Sequence, residues 1–397
     1  MFQTLSPVPP DPLLGVTEAF RADPSSSKVD LGVGVYRDAS GQTPVMAAVR
    51  AAEQKLLAKQ STKGYVGQAG NRQFAAALET LALGAGHPAL VAKRVATLQA
   101  PGGTGALRLG AELLALSGYR GKVLVSDPTW ANHIPLMGGA GLQTAPYPYY
   151  DRSTGALLVA RMLAALDAAE PGTVVLLHGS CHNPTGADLA ESDWRAVADV
   201  MAQRRLVPFI DIAYQGLGRG LDQDAHGMRL LAERLPELVV AVSCSKNFGL
   251  YRERVGALTL IAENSAAATT SMGHLQSLAR RNYSMPPDHG AAIVAGIFAD
   301  ETLKAQWLAE LTAMRERVMG LRRDLAAALR REFGGPRFDF VAGQNGMFSV
   351  LGLSPEAVQK LRNEHHVYTA PDSRVNIAGL TGGDIDAVAK AVRLAVG

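Results

Sequence analysis

Between residues 94 and 246 the chain alternates short, β-branched apolar runs with longer stretches whose apolar positions recur every three or four residues. The runs "RVATLQA", "KVLVSDP", "TVVLLHGS", "LVPFIDIAY" and "LVVAVSCS" are too short for helices and too evenly apolar for strands with one wet face. They predict strands covered on both sides. The segments "TGALRLGAELLAL" and "SDWRAVADVMAQRR" between them carry an apolar stripe at helical spacing. Such alternation predicts an α/β domain built on a mostly parallel sheet with helices on both faces. From about residue 300 the texture changes. "LKAQWLAELTAMRERVMGLRRDLAAALRREF" predicts one long amphipathic helix, then shorter strands in "FDFVAG", "GMFSVLGL" and "RVNIAGL" and a final helix. This reads as a smaller α+β domain joined by the N-terminal segment. The expected division is 44–311 for the large domain and 1–43 with 312–397 for the small one, the boundary falling inside the long helix.

In an open parallel sheet, ligands sit beyond the carboxyl ends of the strands, so the residues that follow each run carry the chemistry. After "VATLQA" comes "PGGTGALRLG", a glycine turn entering a helix, whose free N–H groups and positive dipole end suit a phosphate. It is no dinucleotide fingerprint, because Arg108 stands at the third glycine position, and no Lys-Ser/Thr pair follows. By itself it is equally a plain tight turn. After "KVLVS", "DPTWANH" offers Trp130 and His133, or else an aromatic core residue and a satisfied histidine. "CHNPTG" offers Asn183, which also forms turns. "LVPFIDIAYQG" sets Asp211 between Ile210 and Ile212, with Tyr214 three positions on; a carboxylate in such a run needs a cation or a donor. "SCSKNFGLYRER" puts Lys246 just past the next strand end and Arg254 eight residues later. A lysine there is either a solvated loop residue or a charge held near the core for a purpose. In chain order the strand ends thus deliver a phosphate-type turn, an aromatic plate, an amide, a buried acid with a tyrosine, and a lysine with an arginine. One cofactor needs that set: a phosphorylated aromatic aldehyde with a basic ring nitrogen. The lysine amine captures the aldehyde, the acid keeps the ring nitrogen protonated, and turn and arginine hold the phosphate.

Composition narrows the picture further. Net charge is +3, from 39 basic and 36 acidic residues without long blocks, so neither nucleic acid nor an anionic membrane is implied. The two cysteines, Cys181 and Cys244, give no disulfide framework and no metal-ligand spacing; no metal is expected, and a reduced, cytoplasmic setting fits best. The start "MFQTLSPVPPDPLLG" has no basic, then apolar, targeting pattern, and no run reaches the length of a membrane span.

Ten blocks in order, "DPLLGVTEAFRAD", "DLGVGVYRD", "PGGTGALRLG", "SDPTWANH", "CHNPTGADL", "DIAYQGLGRGL", "SCSKNFGLYRERVGA", "RRNYSMPPDHGA", "NGMFSVLGL" and "SRVNIAGL", resemble those of the fold type I pyridoxal-phosphate-dependent aminotransferases. The likeness is strongest to the aspartate/aromatic amino acid subfamily and runs over nearly the whole chain. It implies a seven-stranded-type sheet and pyridoxal 5'-phosphate as cofactor. Lys246 would hold the cofactor and move the substrate proton. Asp211 would face the ring nitrogen, with His133 behind it. Tyr214 and Asn183 would bond the ring's phenolic oxygen, and Trp130 would stack on the ring. Gly103, Thr104, Ser243, Ser245 and Arg254 would bind the phosphate. Arg374 would clamp the substrate α-carboxylate, with the Gly34 backbone closing over it. Tyr65 and Arg280 would reach into a partner subunit's site, to the phosphate and to the distal carboxylate respectively, which implies a homodimer with shared sites.

Met285 and Gly64 depart from the family pattern near the site mouth, so they bear on substrate preference. Several blocks look more like the aromatic-accepting branch, whereas Val35, Thr43 and Thr104 look like the aspartate branch. The expectation is amino transfer from aromatic amino acids, aspartate or both to 2-oxoglutarate. The alternatives are a strict aspartate aminotransferase, a lyase or decarboxylase on the same fold, and a non-catalytic binding protein, which would need an added DNA-binding module. Arg280, in its family position for a dicarboxylate, favours transamination.

Overall fold

The computed structural model describes residues 2–7 and 12–397. Met1 and residues 8–11, which belong to the N-terminal stretch quoted above and include the first residue of the first family block, lie outside the described residues. The centre is a sheet of seven strands: β1 (Val95–Pro101), β2 (Lys122–Asp127), β3 (Gln143–Pro148), β4 (Val174–His178), β5 (Val207–Ile212), β6 (Leu238–Ser243) and β7 (Val255–Ile261). Their spatial order is β1-β7-β6-β5-β4-β2-β3. Only β7 runs antiparallel to its neighbours; the other pairings are parallel. The apolar runs predict five of these strands. Missing from that reading are β3, whose Pro146 and Pro148 are tolerated because it is an edge strand, and β7, which follows the charged "LYRER" turn with no helix between it and β6.

Alternation along each strand explains why the runs are apolar throughout. In β5, Phe209 joins one buried cluster with Leu98, Val125 and Leu258, while Ile210 and Ile212 join the other with Val240 and Leu177. Each strand thus feeds two cores, one on each face. Asp211 follows Phe209 on its face, so the two isoleucines beside it in sequence point away from it. The first helix after β1, α1 (Gly102–Leu116), lies on the Phe209 side.

The long helix spans Glu301–Phe333, 33 residues, begun by Asp300 accepting from the N–H groups of Thr302 and Leu303 and ended by Gly334 in the left-handed region. The N-terminal strand Val29–Asp30 pairs in parallel with Val367–Tyr368. Arg317 on the long helix donates to the carbonyls of Arg37, Asp38 and Leu380. These bonds hold the strap 31–38, which carries Gly34, beside the C-terminal segments. Phe348–Val350 and Arg374–Asn376 form a small antiparallel ribbon. The expected strand in "FDFVAG" is instead a helical turn, Phe340–Gly343. Phe338 and Val341 are both buried there, and a three-residue spacing puts two side chains on one side of a turn but on opposite faces of a strand.

Candidate active site

One cavity of about 290 Å³ opens at the carboxyl ends of the parallel strands, and most of the residues singled out from the sequence line it: Gly34, Gly103, Thr104, Trp130, Asn183, Asp211, Tyr214, Ser243, Ser245, Lys246, Arg254 and Arg374. Adjacent strands of a parallel sheet end side by side, so residues far apart in sequence meet there.

Asp211 is buried at the end of β5. Its Oδ2 lies 3.1 Å from His133 Nε2, and His133 Nδ1 lies 2.7 Å from Thr129 Oγ1. A neutral ring that donates from Nε2 to the carboxylate accepts the threonine hydroxyl at Nδ1. Burial alone would raise the Asp211 carboxyl, but the His133 hydrogen bond and the electrostatic pull of the nearby His133, His178 and Lys246 side chains hold it below the ordinary carboxylate range. The acid therefore stays ionised inside an apolar face. His178 completes the cluster; burial pulls its imidazole down to about 3, and neither ring nitrogen has a protein partner. One ligand atom from each of His133, His178 and Asp211 lies within 4.8 Å of the others. Asp211 Oδ2 already bonds His133, which makes the trio a support for the carboxylate.

Lys246 lies in the loop after β6, three residues past Ser243, and is half-buried, its Nζ 4.8 Å from the centre of the Tyr214 ring. Among the described residues no carboxylate is within ion-pair distance of it. Desolvation lowers its ammonium to about 8; the Asp211 charge opposes it, and Arg254 and Arg374 push the same way as burial. A lysine so placed is an amine nucleophile near neutrality. Tyr214 is buried, and burial raises its phenol well above its usual value.

The wall beside the lysine is made of donors. α1 starts at Gly102, and Pro101 before it supplies no side-chain cap, so the first N–H groups of the helix face the cavity unspent. Gly102 takes a φ of +70°, and a Cβ there would meet the Arg254 guanidinium. Ser243 Oγ lies 3.1 Å from Ser245 Oγ, which accepts from Arg254 Nη1 at 3.4 Å. Unpaired helix N–H groups, two hydroxyls and a guanidinium, with no carboxylate among them, form a cradle for a phosphate dianion. Trp130 forms another wall, edge-on to His133 with ring centroids 5.3 Å apart. The residues present fit a phosphorylated pyridine aldehyde: donors for a phosphate, an ionised acid for a ring nitrogen, an aromatic plate and an amine for the aldehyde.

Across the cavity, Arg374 is buried, with Nη2 donating to the Gly32 carbonyl at 2.9 Å and Nη1 to Asn183 Oδ1 at 3.3 Å. Its Nε has no partner, and its guanidinium lies 4.3 Å over the Phe348 ring. Asn183 Nδ2 in turn donates to Tyr214 OH at 3.4 Å. Two predicted residues stand elsewhere. Tyr65 is 93% exposed, and Arg280 is exposed, donating to Ser284 Oγ at 2.7 Å; neither lines the cavity of its own chain. Sequence reasoning did not single out His178, Phe348, Leu107 and Ala213, which also line it. His178 ends β4 and was findable by the strand-end rule; Phe348 was not, because it comes from a separate ribbon.

The model of the family described as aminotransferase class I and II matches residues 26–392. The chain belongs to that family. An aromatic-amino-acid aminotransferase of Pseudomonas aeruginosa is 49% identical to it over 98% of each chain. An aspartate aminotransferase of Escherichia coli is 42% identical over 99% of each. Among solved structures, the aromatic-amino-acid aminotransferase of Burkholderia pseudomallei, covalently bound to pyridoxal phosphate, superposes with a TM-score of 0.97 at 42% identity and full coverage of both chains. The family relationship thus spans the sheet, the long helix and the ribbon bearing Arg374.

Proposed function

We propose that this protein is a pyridoxal 5'-phosphate-dependent aminotransferase that moves the amino group of aromatic amino acids and of aspartate to 2-oxoglutarate. The observation that carries this is the convergence, in one cavity, of an uncapped helix N-terminus, a lysine with a depressed pKa and an ionised acid buttressed by a histidine. When bound, pyridoxal phosphate supplies an aldehyde for the amino group and a ring that delocalises the electrons left on the α-carbon.

The α1 N-terminus, Ser243, Ser245 and Arg254 hold the phosphate. Asp211, kept anionic by His133, presents its charge to the pyridine nitrogen, and Trp130 covers the ring face. Tyr214 and Asn183 hydrogen-bond the phenolic oxygen. Lys246 Nζ, free to shed its proton near pH 8, takes the proton from the substrate α-carbon and returns it at the neighbouring position. Arg374 pairs with the α-carboxylate, its unpartnered Nε supplying one of the two parallel bonds.

Tyr65 and Arg280, exposed and remote from their own cavity, act in a partner's site, so the working unit is a homodimer with a lobe division at 44–311 against 1–43 plus 312–397. Among the described residues no helix is long and apolar enough to cross a membrane; buried free thiols at Cys181 and Cys244 suit a cytoplasmic home. A panel of amino donors assayed with 2-oxoglutarate tests the substrate assignment. Turnover of both phenylalanine and aspartate is expected, and inertness toward phenylalanine would leave a strict aspartate aminotransferase.

A further inference from the structure

Arg322 is the second largest of the fully buried side chains, 1% exposed, yet among the described residues no carboxylate pairs with it. A bare buried guanidinium is prohibitive unless each N–H finds an acceptor. Here each does. Nε donates to the Gly346 carbonyl at 3.1 Å, Nη1 to the Val341 carbonyl at 3.1 Å and to Ser349 Oγ at 2.8 Å. Nη2 donates to the carbonyls of Asn345 at 2.9 Å, Gly346 at 2.8 Å and Phe348 at 2.5 Å. Every acceptor belongs to residues 341–349. The nearest acid that acts on it, Asp188, is occupied by the N–H groups of Cys181 and His182 and by Asn345 Nδ2.

The segment gripped in this way is the one that orients Arg374. Phe348 lies under the Arg374 guanidinium, and Phe348–Val350 is the strand on which Arg374–Asn376 is registered, with Val350 opposite Arg374. The same grip reaches the turn that carries Asn183. Asn345 N–H donates to the Gly186 carbonyl at 2.7 Å. Gly186 has a φ of +69°, and a Cβ on it would lie 2.3 Å from the Phe348 carbonyl and 3.0 Å from Arg322 Nη2. Glycine is therefore required both for the turn and for the close approach. Two of the three partners that fix Arg374 at its tip, the Phe348 ring and Asn183 Oδ1, are thus located by one guanidinium on the long helix; the third, the Gly32 carbonyl, comes from the N-terminal strap.

We infer that Arg322 is a positioning residue for substrate: by locking residues 341–349 onto the long helix and against the Gly186 turn, it holds the Arg374 guanidinium at the geometry that receives the α-carboxylate. This rests on the reading of Arg374 as the carboxylate clamp. Lysine cannot replace it, since one ammonium with three protons cannot span acceptors from Val341 to Phe348.

The test uses the pyridoxal-phosphate-loaded enzyme and 3-phenylpropanoate as a non-reacting carboxylate probe, its binding read from the shift of the cofactor's absorption. Arg322→Lys is expected to weaken probe binding about tenfold or more, the loss of a few hydrogen bonds' worth of order. KM for phenylalanine and for aspartate should rise in parallel, while cofactor affinity and kcat at saturation change less than about threefold. Ser349→Ala, which removes one acceptor of Arg322 and the hydroxyl's own bond to Gln344 Oε1, should weaken the probe by about three- to fivefold and serves where Arg322→Lys does not fold. Arg374→Lys is the control for the underlying reading. If it leaves probe affinity intact, the carboxylate clamp itself is wrong. If it weakens the probe while folded Arg322→Lys, or Ser349→Ala in its place, binds it normally, or loses cofactor affinity and kcat as much as probe affinity, the positioning role is overturned.

Discussion

Two parts of the expected site are built differently. At the lysine end, Lys246, Asp211, Ser243 and the α1 N-terminus come from the ends of parallel strands and from one uncapped helix of a single chain. Their positions are over-determined by ladders on both sides of β5 and by the two cores that sandwich it. The group expected for a distal carboxylate, Arg280, lines no part of its own chain's cavity: it lies on the exposed last turn of a helix, where among the described residues Ser284, four residues on, accepts its hydrogen bond. The difference matches the proposed division of labour. The groups assigned to the cofactor stand at or just past strand ends that the sheet fixes, whereas the group assigned to the choice between an acidic and an aromatic side chain sits on a long, solvated side chain.

The largest expected effect lies at the rigid end. Lys246→Ala should lower turnover by about 10⁴-fold or more, because both the nucleophile and the proton carrier are lost. Borohydride treatment of the loaded wild type, followed by peptide mapping, should label Lys246; a label on another lysine would remove the basis of the site. Next comes Asp211→Asn, which keeps the shape and deletes the charge, and should cost about 10²- to 10³-fold in kcat. Cofactor affinity should change far less, as measured by equilibrium dialysis, and near-normal kcat would refute the assignment.

At the flexible end the effect should depend on substrate. Arg280→Leu is expected to slow the aspartate and 2-oxoglutarate half-reactions by about 100-fold, the worth of a charge-assisted pair, while sparing phenylalanine in single-turnover measurements. Equal losses for the two amino acids would dissolve the distinction between the ends. Mixing Lys246→Ala with Arg280→Ala subunits and allowing them to re-associate should restore aspartate activity to about a quarter of the wild-type sites, because in each hybrid one site draws both residues from intact copies. Verified hybrids without recovery would place both groups in one chain.

The smallest effect is a pH dependence. In the cofactor-free protein, capture of pyridoxal phosphate by Lys246 needs the neutral amine. With its ammonium lowered to about 8 by burial, the rate should fall about tenfold per pH unit below that value and level off above it. A solvated lysine would go on gaining rate toward pH ~10.4, and that outcome would show that the cavity does not desolvate the amine.

What was legible in the chain follows the range of the forces involved. Five of the seven strands, the strand-end positions of Asp211, Asn183 and Lys246, and the glycine turn could be read from it, since burial on both faces writes an uninterrupted apolar run and a polar residue that interrupts or ends one stands out. The edge strand was not legible because its prolines and partly exposed residues break the apolar run, and the antiparallel β7 was not because no helix separates it from β6. Nor was the turn at Phe340–Gly343: that Phe338 and Val341 are buried together, which a turn allows and a strand with one buried face does not, shows only in the packed structure.

By itself, then, the sequence determined which chemical groups are present and that a two-faced sheet would line up their strands. Tertiary structure alone decided that Asp211 turns away from its flanking isoleucines to meet His133, and that Phe348 slides beneath Arg374. It also decided that Arg322 spends all its donors on one loop instead of on a carboxylate. Those contacts join residues 19 to 78 positions apart, and no local pattern encodes them, because a hydrogen bond or a ring contact is fixed by where two elements pack and not by the spacing within either.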